Sequence, residues 1–170
     1  EGTLTLKNTE LIAPVAGTAD EINSASPSVI GVAAWAQTGE NIDEAWKLVV
    51  TDCTIRTNGF AVFDRWNNAT YTNTTFTGLE GVEGLDDIEV KTCYMALNNP
   101  HANDVTYDHC TFRNMRSWGM LVAGEELTVT DCTFDGTNQS CAISVAYGTI
   151  DKCTITGNTF DLSGSGSGIM

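Results

Sequence analysis

Val129-Thr130-Asp131-Cys132-Thr133-Phe134 has apolar side chains at alternate positions, a short acidic residue where the alternation breaks, and then a second alternating pair. Period two means strand, and a break at a polar residue means that the chain turns a corner between two sheets. The phrase recurs as Val50-Thr51-Asp52-Cys53-Thr54-Ile55, Tyr71-Thr72-Asn73-Thr74-Thr75-Phe76, Val90-Lys91-Thr92-Cys93-Tyr94-Met95, Tyr107-Asp108-His109-Cys110-Thr111-Phe112 and Ile150-Asp151-Lys152-Cys153-Thr154-Ile155. Counted from the fourth residue of each, the steps are 21 (53 to 74), 19 (74 to 93), 17 (93 to 110), 22 (110 to 132) and 21 (132 to 153). Such steps are too short for helical-pair repeats and suit one turn of a parallel β-solenoid.

A third strand is expected after a loop in each turn, at Gly59-Phe60-Ala61-Val62, Gly119-Met120-Leu121-Val122, Ala142-Ile143-Ser144-Val145 and Gly168-Ile169. The expected fold is therefore all-β, a three-sheet parallel β-helix of about seven coils forming one domain over residues 1–170. Residues 1–47 are expected to be an enlarged first coil with insertions at 12–27 and 36–47. The regular coils are placed at 48–68, 69–87, 88–104, 105–126, 127–147 and 148–170. A strand-like opening at Leu4-Thr5-Leu6-Lys7 and an ending on Gly168-Ile169-Met170 suggest a segment of a longer chain, or copies that stack end to end.

These phrases resemble the right-handed parallel β-helix superfamily, which includes pectate and pectin lyases, polygalacturonases, phage tailspikes and bacterial surface adhesins. The resemblance implies the right-handed winding, in agreement with the crossover rule. It does not imply one activity, because this scaffold hosts lyases, hydrolases, receptors and inert stalks.

Twenty-two acidic residues against eight basic ones give a formal charge of −14. That balance disfavours nucleic-acid binding, which needs clustered Lys and Arg. It also opposes anionic polysaccharides unless a cation intervenes. No stretch is long and apolar enough for membrane insertion as a spanning helix.

The cysteines at 53, 93, 110, 132 and 153 are expected to form an inward column of reduced thiols, with Thr74 filling one gap. Asn8, Asp52, Asn73, His109 and Asp131 stand at the bends, where short polar groups tolerate non-β backbone, so His109 reads as a ladder residue. Outward threonines are expected in two columns, Thr5, Thr70, Thr106, Thr128 and Thr149, and Thr54, Thr75, Thr111, Thr133 and Thr154. Cross-coil ion pairs are expected between Lys91 and Asp108 and between Arg113 and Asp135.

The reading that follows is a secreted or cell-surface structural or adhesive module, with no cofactor and no metal. Its expected partners are other copies or adjoining domains at the coil ends, and glycans. The alternative is a carbohydrate-active enzyme, a polysaccharide lyase or glycoside hydrolase. For that alternative the resemblance implies a basic proton abstractor beside acidic, often calcium-binding, side chains. The candidates in this chain are Arg113, Arg116, Asp108, Asp135 and His101. A third reading, an ice-binding threonine face, is weakened by Glu89, Lys91, Asp108 and Asp151, which interrupt the first column's sheet.

Overall fold

The computed structural model describes residues 2–25, 27–31, 46–64, 68–136, 141–145, 150–162 and 167–170. Sixteen strands and one short helix occur among them. Each coil contributes a strand to each of three faces, and every pairing between strands is parallel.

The first face stacks β1 (Gly2–Lys7), β4 (Trp46–Thr51), β7 (Asn68–Thr72), the later part of β9 (Ala96–Asp108), the later part of β11 (Trp118–Thr130) and β14 (Lys152–Thr156). The second stacks β2 (Glu10–Ala13), β5 (Thr54–Thr57), β8 (Thr75–Thr77), β10 (Thr111–Arg113), β12 (Thr133–Asp135) and β15 (Thr159–Asp161). The third carries β3 (Ser28–Gly31), β6 (Phe60–Asp64), the starts of β9 and β11, β13 (Cys141–Val145) and β16 (Ser167–Ile169). Because β9 and β11 run through the corner between the third and first faces, those two faces join into one ten-stranded sheet.

The corner between the first two faces depends on a left-handed residue. Asn8, Asp52, Asn73, His109 and Asp131 have φ between 48° and 54°, and Gly157 has φ 69°. Asparagine and aspartate visit this region more readily than other residues with a Cβ, and glycine does so without steric cost. At each bend the amide N–H donates to the carbonyl before the bend of the next coil: Asn8 to Thr51, Asp52 to Thr72, Asn73 to Asp108, His109 to Thr130 and Asp131 to Thr156. The residue after each bend points inward, and its carbonyl accepts from the next coil, as Cys53 does from Thr75 and Cys110 from Thr133. The backbone ladder therefore continues round the corner, which leaves these buried groups satisfied.

Inside, stacked positions repeat residue types. Phe76, Phe112, Phe134 and Phe160 form a file with ring centroids 4.9, 4.9 and 5.1 Å apart and near-parallel planes. Tyr71 stacks on Tyr107 at 4.6 Å, and Phe76 meets Tyr107 edge to face. The stacking follows from the ~4.8 Å strand spacing.

Three expectations are corrected. There are six coils among the described residues, not about seven, because β8 pairs directly with β10 and leaves no room for a coil at 88–104. Residues 78–91 instead form an excursion from the third coil. It is closed at its neck by Leu79 N–H donating to the Lys91 carbonyl, 2.6 Å, with Leu79 buried as its anchor. Gly78 is required at that neck, since a Cβ there would lie 2.1 Å from the Lys91 carbonyl oxygen. Val90 accordingly lies outside any strand and is only partly buried, and Lys91 donates to the Leu85 carbonyl rather than pairing with Asp108. Cys93 is buried, but it bridges to Met115 near the next corner, outside the cysteine column.

The second correction concerns register. Cys153 pairs with Leu127, not Cys132, so the repeat in the last coil is Cys153-Thr154-Ile155-Thr156-Gly157-Asn158-Thr159-Phe160. Asn158 takes the inward slot after the bend, accepting from the Cys132 amide at 2.7 Å and donating to the Val129 carbonyl at 2.9 Å. Cys153 is exposed, and Ile150 and Ile155 are partly buried, because no described strand covers the far side of this coil.

The threonine columns regroup with it. On the first face Thr5, Val49, Thr70, Thr106, Thr128 and Thr154 share one file, and Lys7, Thr51, Thr72, Asp108, Thr130 and Thr156 the next. Thr159, not Thr154, continues Thr54, Thr75, Thr111 and Thr133 on the second face, and Thr149 lies outside the described residues.

The insertion in the first coil folds as α1 (Ala19–Ala25). Thr18 Oγ1 accepts from the Glu21 amide and Glu21 Oε2 accepts from the Thr18 amide, a reciprocal N-cap that holds the Glu21 carboxyl below its ordinary pKa. Ile22 is the buried anchor of this helix. The expected insertion at 36–47 lies outside the described residues up to 45, and residues 46 and 47 belong to β4.

Two outcomes follow from this architecture. Replacing Asn73 by alanine should destabilise the protein more than replacing it by glycine, by roughly 1 kcal/mol in urea unfolding, because only the former places a Cβ of no polar use at positive φ. Equal losses would contradict a bend held by backbone conformation. For the thiols, Cys153 alone is exposed among six free cysteines, and burial pushes Cys93 up to about 12. A thiol reagent should therefore label one cysteine quickly in the native protein, and Cys153→Ser should remove that fast phase.

Candidate functional site

Among the described residues, the groups proposed from sequence for catalysis, Arg113, Arg116, Asp108 and Asp135, engage different partners. Arg113 and Asp135 stand opposite each other on β10 and β12 and form an exposed ion pair, Nε to Oδ2 2.9 Å. Lys152 pairs with the opposite Glu126 in the same way, 3.1 Å, and Arg56 pairs diagonally with Glu10 of the neighbouring strand, 2.8 Å.

Arg116 turns away from that pair. Its guanidinium donates to the carbonyls of Asn58 and Thr92 and to Asn23 Oδ1 of α1, and it lies over the Tyr94 ring at 5.0 Å. Burial lowers its pKa, and its Nε is enclosed without a hydrogen-bond partner. Arg116 is thus a clamp joining the first-coil helix, the second coil and the neck of the excursion. Asn58 completes the join, with its carboxamide paired to both backbone groups of Val15 at 2.8 and 2.7 Å. His101 falls within β9, and its side chain lies outside the described residues.

Asp108 is engaged elsewhere, at the bend ladder. Its Oδ1 lies 2.8 Å from His109 Nδ1, and His109 Nε2 lies 4.0 Å from Asp131 Oδ2. The hydrogen bond from the imidazole to Asp108 raises the His109 pKa, with smaller support from the charges of Asp108 and Asp131. All three side chains are open to solvent, with 37%, 62% and 49% of their side-chain surface accessible in chain order. Along the same ladder Asn73 Nδ2 donates to Asp52 Oδ1 at 2.7 Å.

Sequence reasoning read the conformation of His109 correctly but did not anticipate its neighbours. The available signal was Asp108 immediately before it, together with an acidic bend residue in the next coil. The clamp role of Arg116 had no such signal, because its partners are backbone carbonyls and a residue 93 positions away.

The family model for the right-handed beta helix region matches residues 32–170. The chain belongs to that family, and the winding is right-handed. No curated protein and no solved structure matches the chain. Within this chain the clamp can be tested directly. Arg116→Met keeps the bulk but strips donors from buried carbonyls, so it should cost about 2–4 kcal/mol in chemical unfolding. An unchanged midpoint would remove Arg116 from the account.

Proposed function

We propose that this chain is a secreted or surface-displayed structural and adhesive module rather than an enzyme. The observation that carries the reading is the commitment of the charged groups which catalysis would need. Arg113 is neutralised by Asp135, Arg116 is bound to backbone, and Asp108 is held by His109. A lyase or hydrolase needs titratable groups converging on one bond of the substrate, and a net charge of −14 opposes the approach of polyanionic sugars.

The surface best suited to adhesion is the first face. Its two outward files hold nine threonines, with Val49, Lys7 and Asp108 at the remaining places. Threonine hydroxyls both donate and accept, and β-branching fixes them at little entropic cost. Neutral, hydroxyl-rich glycans are the partners that this surface fits. Leu4, Ile12, Phe160, Ile169 and Met170 are exposed on the two outermost described coils, a distribution consistent with contacts to adjoining coils or copies there.

Sedimentation with neutral polysaccharides should show binding that is lost in Thr70→Lys/Thr128→Lys, while polygalacturonate with calcium should yield no unsaturated product. Calcium-dependent product release abolished by Arg113→Ala would instead establish the enzyme reading.

A further inference from the structure

We propose that Asp108, His109 and Asp131 form a surface site for a borderline divalent transition cation, zinc or copper(II), with His109 Nε2 and the Asp131 carboxylate as its ligands. The metal-ligating atoms of the three residues lie within 4.8 Å of one another. Their arrangement assigns each a separate role.

Asp108 is the orienting group. A carboxylate only accepts, so the 2.8 Å contact requires the hydrogen on His109 Nδ1. In the neutral imidazole the lone pair is then on Nε2, which faces Asp131 Oδ2 across 4.0 Å. That gap is too long for a hydrogen bond. Zinc bonds to imidazole nitrogen and carboxylate oxygen are ~2.0–2.2 Å each, which at a tetrahedral angle sets the two ligand atoms ~3.3–3.5 Å apart, so a small rotation of the exposed Asp131 carboxylate toward His109 brings both onto one ion. A metal-bound histidine characteristically donates its other N–H to a carboxylate, which fixes the tautomer and raises ligand basicity.

The next coil keeps Asp131 in place. Gly157 stands in the bend slot stacked against it, and a Cβ on Gly157 would lie 2.0 Å from Asp131 Oδ1. The missing side chain makes the notch that the Asp131 carboxylate occupies. His109 is likewise the one described bend residue with an imidazole, where other coils carry Asn, Asp or Gly. The ligands are few and exposed, so water completes the coordination shell. Imidazole with one carboxylate favours copper(II) and zinc over calcium, which needs six to eight oxygens.

The variants can be made without disturbing the bend, because Asn already occupies this slot at Asn8 and Asn73. In a Cys153→Ser background, which removes the exposed thiol as a competing ligand, zinc should bind at one equivalent per chain by calorimetry. It should shift the His109 imidazole nitrogen resonances, and copper(II) should bind more tightly. His109→Asn or Asp131→Asn should weaken zinc by at least about tenfold, and Asp108→Asn by about 10- to 100-fold. His101→Asn should leave binding unchanged. Zinc binding that survives His109→Asn, no binding at millimolar zinc, or equally tight calcium binding would each overturn the proposal.

Discussion

The structure depends on the amide of a left-handed bend residue donating to the carbonyl that precedes the bend of the next coil. A parallel solenoid must satisfy its backbone groups at corners as well as in strands. Positive φ at Asn8, Asp52, Asn73, His109, Asp131 and Gly157 aims these amides along the stacking axis. Once the corners are locked at a common height, the flanking strands have a single register, and a one-residue slip would turn every inward side chain outward.

The interior follows from that register. Identical slots repeat at the strand spacing, so a side chain is packed mainly by its counterparts in the coils above and below. Files of phenylalanine and a tyrosine pair are favoured because aromatic rings stack well at this separation. Small groups fill the slot after the bend, with Cys53, Thr74, Cys110 and Cys132 succeeded by Asn158. The change to Asn158 shows what the slot requires, a compact side chain lying against backbone, rather than sulfur chemistry.

Much of this was legible because period-two alternation and a polar bend residue are local signals. The bend residues come from patterns within a few positions, and the three-faced solenoid and the Arg113–Asp135 pair come from the repetition of those patterns at steps of 17 to 22 residues. Two features were hidden for physical reasons. Val90-Lys91-Thr92-Cys93-Tyr94-Met95 imitates the repeat, yet the neck closed by Leu79 and Lys91 is a tertiary contact that no alternation reveals. Ile150-Asp151-Lys152-Cys153-Thr154-Ile155 imitates it too, while the true bend is Gly157, whose signal was outweighed by a cysteine at the expected spacing. The candidate site was less legible than the fold. Asp131 reaches His109 from the next coil, and Arg116 binds carbonyls that carry no side-chain identity.

Register at the last coil is where the account differs most sharply from a simple count of repeats. Scalar coupling through the hydrogen bond from the Asp131 amide identifies its acceptor directly. A coupling to the Thr156 carbonyl carbon is the predicted result, with Gly157 as the stacked bend. A coupling to the Asp151 carbonyl would align Cys153 with Cys132 and contradict the bend ladder as the feature that sets the fold.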